Sequence, residues 1–346
     1  MHRRFQKLVL RDGRSLSWRE YGAGFPVIFT HGNLNSSLFS PSWSKTTDDA
    51  MSSGAKIFAV DRPGYGNSSI HDGRTYQDWT EDVRQLVAHL GLERYSVVGF
   101  SSGGPHALSC YASRLPGYVH PPLNSISFCV VIIFFLNLLK SFLFFLLSSF
   151  SCLPRLSSCT LVSSDAPYHH LNLVQTMYGT DRVSMETALK SAKVNKERMM
   201  ESYLNMKNKD RVSMAVSDLE HATLSGYHGA ASDSVLEAST TWGKEMDQYF
   251  EGEFEAEEKV EKEKKNKNQV RLSLWHGTED HDVPIVAGDY LAKMLEPNVY
   301  HRIDNESHTL IRRNWFNILK EVVEYGSHYS DDEEDDEEDD DQRGKL

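Results

Sequence analysis

Short runs rich in Val, Ile and Phe, each bounded by Gly, Pro, Asp or Ser, recur at residues 27–30, 56–60, 96–100, 160–162, 270–275 and 298–303. Runs of this length and composition predict strands. Helical periodicity lies between several of them. Trp79, Val83, Leu86, Val87 and Leu90 share one helix face, and Gly91 predicts where that helix stops. Nearer the N-terminus, residues 7–10 and 14–19 flank Asp12-Gly13, a hairpin signature that predicts an antiparallel edge. Strand and helix in alternation, with one hairpin, predict the α/β class: a mostly parallel sheet flanked by helices.

Several stretches interrupt that rhythm. Residues 167–250 carry helical patterns with Met177, Tyr178, Met199, Met200, Tyr203 and Trp242, read as a helical lid with its own packing face. Residues 251–269 are dense in Glu and Lys and predict a solvated linker. The acidic tail, 329–346, repels itself and is expected to be disordered. Residues 1–120, 159–166 and 270–328 are left to form the core.

Between them lies an apolar insertion, 121–158. Over residues 126–147 the only polar positions are Ser127, Asn137, Lys140 and Ser141. That is long enough to span a bilayer, and its Leu, Ile and Phe outweigh the single lysine. A span would nevertheless put the strands before and after it on opposite sides of the membrane, where they could not share a sheet. Phe, Leu, Ser and Pro dominate the stretch, and their codons are pyrimidine-rich. Translated intron sequence near a splice acceptor would read the same way, and its removal would join His120 to Cys159 through an ordinary short loop. Three readings stand: a retained intron, an insertion lying on the protein surface or against a membrane, and a true transmembrane segment.

Charge narrows the function classes. The formal net charge is -12, yet residues 331–341 are eleven consecutive carboxylates, so the rest is nearly neutral. No basic footprint for a nucleic acid remains. Cys110, Cys129, Cys152 and Cys159 form no C-x-x-C pair, which argues against a zinc site or a disulfide scaffold and for a reducing compartment. Arg3 and Arg4 precede an apolar run of only three residues, 8–10, too short for a signal-peptide core, so a cytoplasmic location is expected.

The chemistry concentrates at the end of the strand at 96–100, which runs through Gly99-Phe100-Ser101-Ser102-Gly103 into a helical pattern at 105–114. A serine thrust out on a sharp strand-to-helix turn needs small neighbours on both sides. Register selects Ser101, because Ser102 would require glycine where Phe100 stands. Strand, G-x-S-x-G and helix together resemble the α/β-hydrolase family, in its serine-nucleophile, lid-bearing esterase and lipase-like branch. His31-Gly32-Asn33 is similar to that family's oxyanion loop, and the stretch from Asp61-Arg62-Pro63-Gly64 to Ser68 is similar to its next strand-end motif. The resemblance implies an oxyanion hole from the backbone N–H groups of Asn33 and Ser102, with His31 structural.

It also implies an acid and a base beyond two late strands. Asp280 stands three residues before Val283-Pro284 and is the implied acid, with Asp282 and Asp165 as fallbacks. His308 follows the last strand and is the implied base, although Ser307 occupies a position where the family more often has glycine. The order Ser101, Asp280, His308 is the order this fold uses. The implied activity is hydrolysis of a small-molecule carboxylic ester through an acyl-enzyme, without metal or organic cofactor. Two other readings are a non-catalytic ligand-binding protein on the same fold and an integral membrane protein spanning near 126–147.

Overall fold

The computed structural model describes residues 5–39, 46–113, 154–180, 182–251 and 270–327. Eight strands form one sheet: β1 (Gln6–Val9), β2 (Ser15–Gly22), β3 (Phe25–Thr30), β4 (Ala55–Asp61), β5 (Arg94–Phe100), β6 (Arg155–Val162), β7 (Arg271–Gly277) and β8 (Val299–Ile303). Their spatial order is β1-β2-β4-β3-β5-β6-β7-β8. β2 runs antiparallel to both neighbours, and every other pairing is parallel. The expected hairpin is present, with Gly13 at φ +86 and Leu10 N–H donating to the Arg14 carbonyl at 2.8 Å.

The described helices are α1 (Thr46–Ser53), α2 (Tyr76–His89), α3 (Gly103–Ala112), α4 (Val174–Tyr178), α5 (Met185–Leu204), α6 (Lys209–Ala222), α7 (His228–Glu237), α8 (Lys244–Glu251), α9 (Ile285–Leu295) and α10 (Ile311–Ser327). Alternation along the strands assigns them to layers, because successive side chains point to opposite faces. Val27 and Phe29 of β3 pack with Ala50, Trp315 and Ile318 of α1 and α10. Ile28, between them, packs on the other face with Leu86 of α2 and Leu108 of α3. The helix expected around Trp79 starts at a Thr75–Asp78 capping box, buries Trp79, Val83 and Leu86, and gives way at Gly91, φ +62.

Two expectations change. The helix after Ser101 begins at Gly103, ahead of the expected 105, because the turn feeds the helix directly. Residues 155–158, assigned from sequence to the insertion, belong to β6: Arg155, Leu156 and Ser158 pair with Arg94, Tyr95 and Ser96, and Leu156 is buried. The core strand therefore resumes at Arg155 rather than Cys159, since pairing along β5 governs its length more than local hydrophobicity does. The apolar stretch 126–147, most of the linker and the acidic tail lie outside the described residues. Among the described residues, no helix is long and apolar enough to cross a membrane, and Cys110 and Cys159 are buried.

Residues 167–250 form α4 to α8. Trp242 and Tyr178 join the main core, while Met199, Met200 and Tyr203 pack against a satellite cluster that includes Leu34, Tyr65, Leu219 and Ala230. That cluster ties the helical segment to the loops following β3 and β4.

Candidate active site

Ser101 directly follows β5 at φ +53, in the left-handed region that a non-glycine residue occupies only under constraint. The constraint is visible in the backbone. Ser101 N–H donates to the Val162 carbonyl of β6 at 3.0 Å, and its own carbonyl accepts from Gly104 N–H at 2.7 Å. The neighbouring glycines allow this crossing. A Cβ on Gly99 would lie 2.5 Å from the Gly103 carbonyl oxygen, and one on Gly103 would collide with the Thr30 carbonyl. Local geometry thus explains why G-x-S-x-G is needed here.

β7 and β8 are parallel neighbours, so the loops leaving their C-terminal ends lie side by side. Glu279 N–H donates to the Glu306 carbonyl at 2.9 Å, joining the two loops directly. Asp280 and His308 meet across this junction: His308 Nδ1 lies 2.9 Å from Asp280 Oδ2 and 3.1 Å from Oδ1. Asp280 is buried and also accepts from the Val283 N–H at 2.8 Å and the Asp282 N–H at 3.0 Å. Burial alone would raise its pKa, but the hydrogen bond and charge of His308 hold it below the usual carboxylate value. Burial opposes charging of His308, yet the Asp280 contact outweighs it and raises the imidazole above its ordinary value. With Nδ1–H given to Asp280, Nε2 of the neutral ring is left to accept a proton. Ser307 sits at φ -95, an extended conformation open to any residue, so glycine is not demanded there.

The His308 ring lies against Phe100, the residue before Ser101, with centroids 5.1 Å apart, and its carbonyl accepts from Ser163 Oγ at 3.4 Å. These contacts bring the His308 loop to the strand ends that carry Ser101. Opposite, a Cβ on Gly32 would stand 3.1 Å from Ser101 Cβ, which places the His31-Gly32-Asn33 loop on the other flank. Among the described residues, neither the Asn33 nor the Ser102 amide donates to a protein acceptor. His31 is fully buried, with Nδ1 donating to the Gly32 carbonyl at 2.8 Å and Nε2 accepting from Arg62 N–H at 3.2 Å. Both nitrogens are occupied, and burial depresses its pKa well below normal. Asp61 ties the same region together by accepting from Ser17 Oγ at 2.6 Å and Ser37 N–H at 2.7 Å.

Of the fallback acids, Asp282 is exposed and reaches Asp280 only through its N–H. Asp165 is buried and accepts from the Tyr168 hydroxyl; its pKa is raised to about 6, chiefly by desolvation.

Sequence reasoning missed the buried carboxylates of the helical segment, Asp218, Asp233 and Glu237. Asp233 of α7 lies 2.8 Å from Arg62 Nη1 and also pairs with Arg74 and with the Tyr65 hydroxyl. Asp218 of α6 accepts from Ser36 Oγ at 2.5 Å, Ser36 N–H at 3.0 Å and Asn35 Nδ2 at 3.0 Å, and burial lifts its pKa to about 7. A faint signal existed in Arg62 and Arg74, charges close to an apolar strand end, but nothing local names their partners.

A family model described as the alpha/beta hydrolase fold matches residues 26–120, ending just before the apolar insertion. The chain is 33% identical over 94 residues to a non-heme haloperoxidase of Rhodococcus erythropolis, covering 27% of this chain and 33% of that protein. It is 31% identical over 111 residues to the bifunctional esterase/perhydrolase DCH of Acinetobacter calcoaceticus, covering 32% of this chain and 39% of that protein. These matches span well under half the length of either relative. The fold extends further: a bromoperoxidase of Bacillus anthracis superposes with a TM-score of 0.56 at 16% identity, covering 93% of this chain and 99% of the other. A thermophilic esterase of Thermogutta terrifontis superposes with a TM-score of 0.53 at 15% identity, covering 94% and 99%. The chain has the α/β-hydrolase fold.

Proposed function

We propose that the protein is a serine hydrolase acting on carboxylic esters, with Ser101 as nucleophile, His308 as general base and acid, Asp280 as the acid that orients it, and α4 to α8 as a lid. The observation that carries this reading is the juxtaposition of a left-handed serine at the end of β5 with an Asp280–His308 pair at the ends of β7 and β8. The esterase activity in the name of the Acinetobacter relative is consistent with it.

A serine hydroxyl is un-ionised at neutral pH and needs a base. His308 Nε2 takes the Ser101 proton as Oγ bonds to the ester carbon, and the carbonyl π pair moves onto oxygen. The Asn33 and Ser102 amides receive that oxyanion; one such donor contributes roughly 2.7–4 kcal/mol of transition-state stabilisation in a comparable hydrolase. Asp280 stabilises the imidazolium. Collapse expels the alcohol, which takes its proton from His308, and a water molecule deprotonated by the same ring then hydrolyses the acyl-enzyme. No hydrogen bond between Ser101 Oγ and His308 is among those described; such bonds are often long before substrate binds.

The test is hydrolysis of 4-nitrophenyl butyrate by the full chain and by Ser101→Ala. The expected outcome is a loss of about 10⁴-fold or more in kcat. Equal rates would overturn the mechanism.

A further inference from the structure

We propose that Asp233, on α7, is a positioning residue for the oxyanion site: it holds the Ser102 segment through Arg62 and the Asn33 segment through Tyr65. The inference rests on the serine-hydrolase reading and concerns how its two backbone donors are aimed.

The connections are specific. Arg62, fully buried, spans from the helical segment to the serine turn: Nη1 lies 2.8 Å from Asp233 Oδ2, while Nη2 donates to Ser102 Oγ at 3.0 Å and Nη1 reaches the Ser102 carbonyl at 3.4 Å. His106 Nδ1 donates to that same carbonyl at 2.8 Å, so the peptide following Ser102 is held from two directions. On the other flank, the Tyr65 hydroxyl is hydrogen-bonded to Asp233 Oδ2 and lies 3.4 Å from Asn33 Oδ1. Asn33 Nδ2 donates to the carbonyl of Ala230, on the same helix, at 3.4 Å. One carboxylate therefore stands behind both residues whose amides are assigned here to the oxyanion site.

The packing leaves little slack. A Cβ on Gly229, at the start of α7, would fall 2.5 Å from the Tyr65 ring and 2.8 Å from the Gly64 carbonyl carbon. Arg74, paired with Asp233, also donates to the Gly229 carbonyl at 3.3 Å. A buried charge held between two guanidinium groups and a phenol has few alternative positions, because moving any member strands another without a partner. An amide displaced by a fraction of an ångström still folds and still binds substrate. It stabilises the oxyanion less, which lowers kcat rather than substrate affinity.

The test compares the full chain with Asp233→Asn and Tyr65→Phe, the second removing a hydroxyl while leaving every charge in place. For Asp233→Asn, kcat on 4-nitrophenyl butyrate is expected to fall about tenfold with KM within about twofold, a fraction of what deleting a donor costs. Inhibition by phenyl trifluoromethyl ketone, which captures the serine as a tetrahedral oxyanion, should weaken in parallel. Tyr65→Phe should lower kcat about threefold by the same route. In protein labelled with ¹⁵N-serine and ¹⁵N-asparagine, the Ser102 and Asn33 amide resonances should shift in Asp233→Asn, and the Asn33 amide in Tyr65→Phe. A lower melting temperature with kcat, inhibition and amide shifts unchanged would overturn the proposal, as would a rise confined to KM. Should Asp233→Asn fail to fold, unchanged kcat and an unmoved Asn33 amide in Tyr65→Phe are sufficient to reject it. Activity that survives Ser101→Ala would count against the serine reading instead, and the amide shifts would still decide whether Asp233 positions the two segments.

Discussion

The corner that holds Ser101 and the charge cluster behind it, around Arg62 and Asp233, are built by opposite physics. The corner is made by backbone: a left-handed serine, glycines that let chains cross, and two parallel strands that release Asp280 and His308 side by side. The cluster is made by side chains alone, with Arg62, Arg74 and Asp233 buried and dependent on one another. A backbone-built site announces itself in motifs, since it demands particular residues at fixed spacing. A charge-built one demands only that opposite charges meet, from whatever distance in the chain.

That contrast predicts different responses to mutation. The largest effect is expected at the corner: Asp280→Asn should lower kcat about 10⁴-fold by placing the wrong tautomer at His308 while leaving the fold intact. Stopped-assay kinetics alongside circular dichroism checks it, and a loss traced to unfolding would erase the distinction. In the cluster the sign of the contrast reverses. Asp233→Ala strands two buried guanidinium groups and should destabilise the protein by about 3–5 kcal/mol in denaturant titration. A cost near that of an exposed ion pair would mean that water already enters the cluster. Gly103→Ala tests the backbone side, since its methyl group meets the Thr30 carbonyl; a loss of about 1–3 kcal/mol is expected, by analogy with overpacked cores.

Two smaller effects depend on pH. Because Asp280 raises the pKa of His308, the acidic limb of kcat/KM should lie above 6.5, activity rising with pH as the imidazole loses its proton. The stabilising effect of that raised pKa is complete below 6.5 and is lost as pH rises through the folded value. A limb below 6.5 would uncouple the pair. Asp218 acts in the same direction, unusually for an acid: its pKa of about 7, above the ordinary 3.8, means that the folded state keeps a proton the unfolded state has released. Stability should therefore decline as pH rises between those values, and Asp218→Asn should flatten the decline in melting temperature.

Much of the core was legible from periodicity. The strand runs at 27–30 and 56–60 fall inside β3 and β4, and Gly91 lies just beyond α2 as expected. The misplacement of residues 155–158 has a clear origin. Their sequence, Arg-Leu-Ser-Ser, carries no strand pattern, and only pairing with β5 and burial of Leu156 make them part of β6. Ser101 could be chosen by register, but Asp280 and His308 required the resemblance to a known family, because a carboxylate and an imidazole separated by 28 residues share no local signal.

What the amino-acid order dictates here is whatever depends on near neighbours: the two-residue alternation of strands, the helix face around Trp79, and the glycines without which Ser101 could not take its conformation. Which carboxylate meets which cation was decided in three dimensions, as when Asp233 reaches Arg62 across 171 positions of chain. Backbone sterics act between adjacent residues and so leave their mark on adjacent letters. Burial and charge act between surfaces, and those surfaces exist only once the chain has folded.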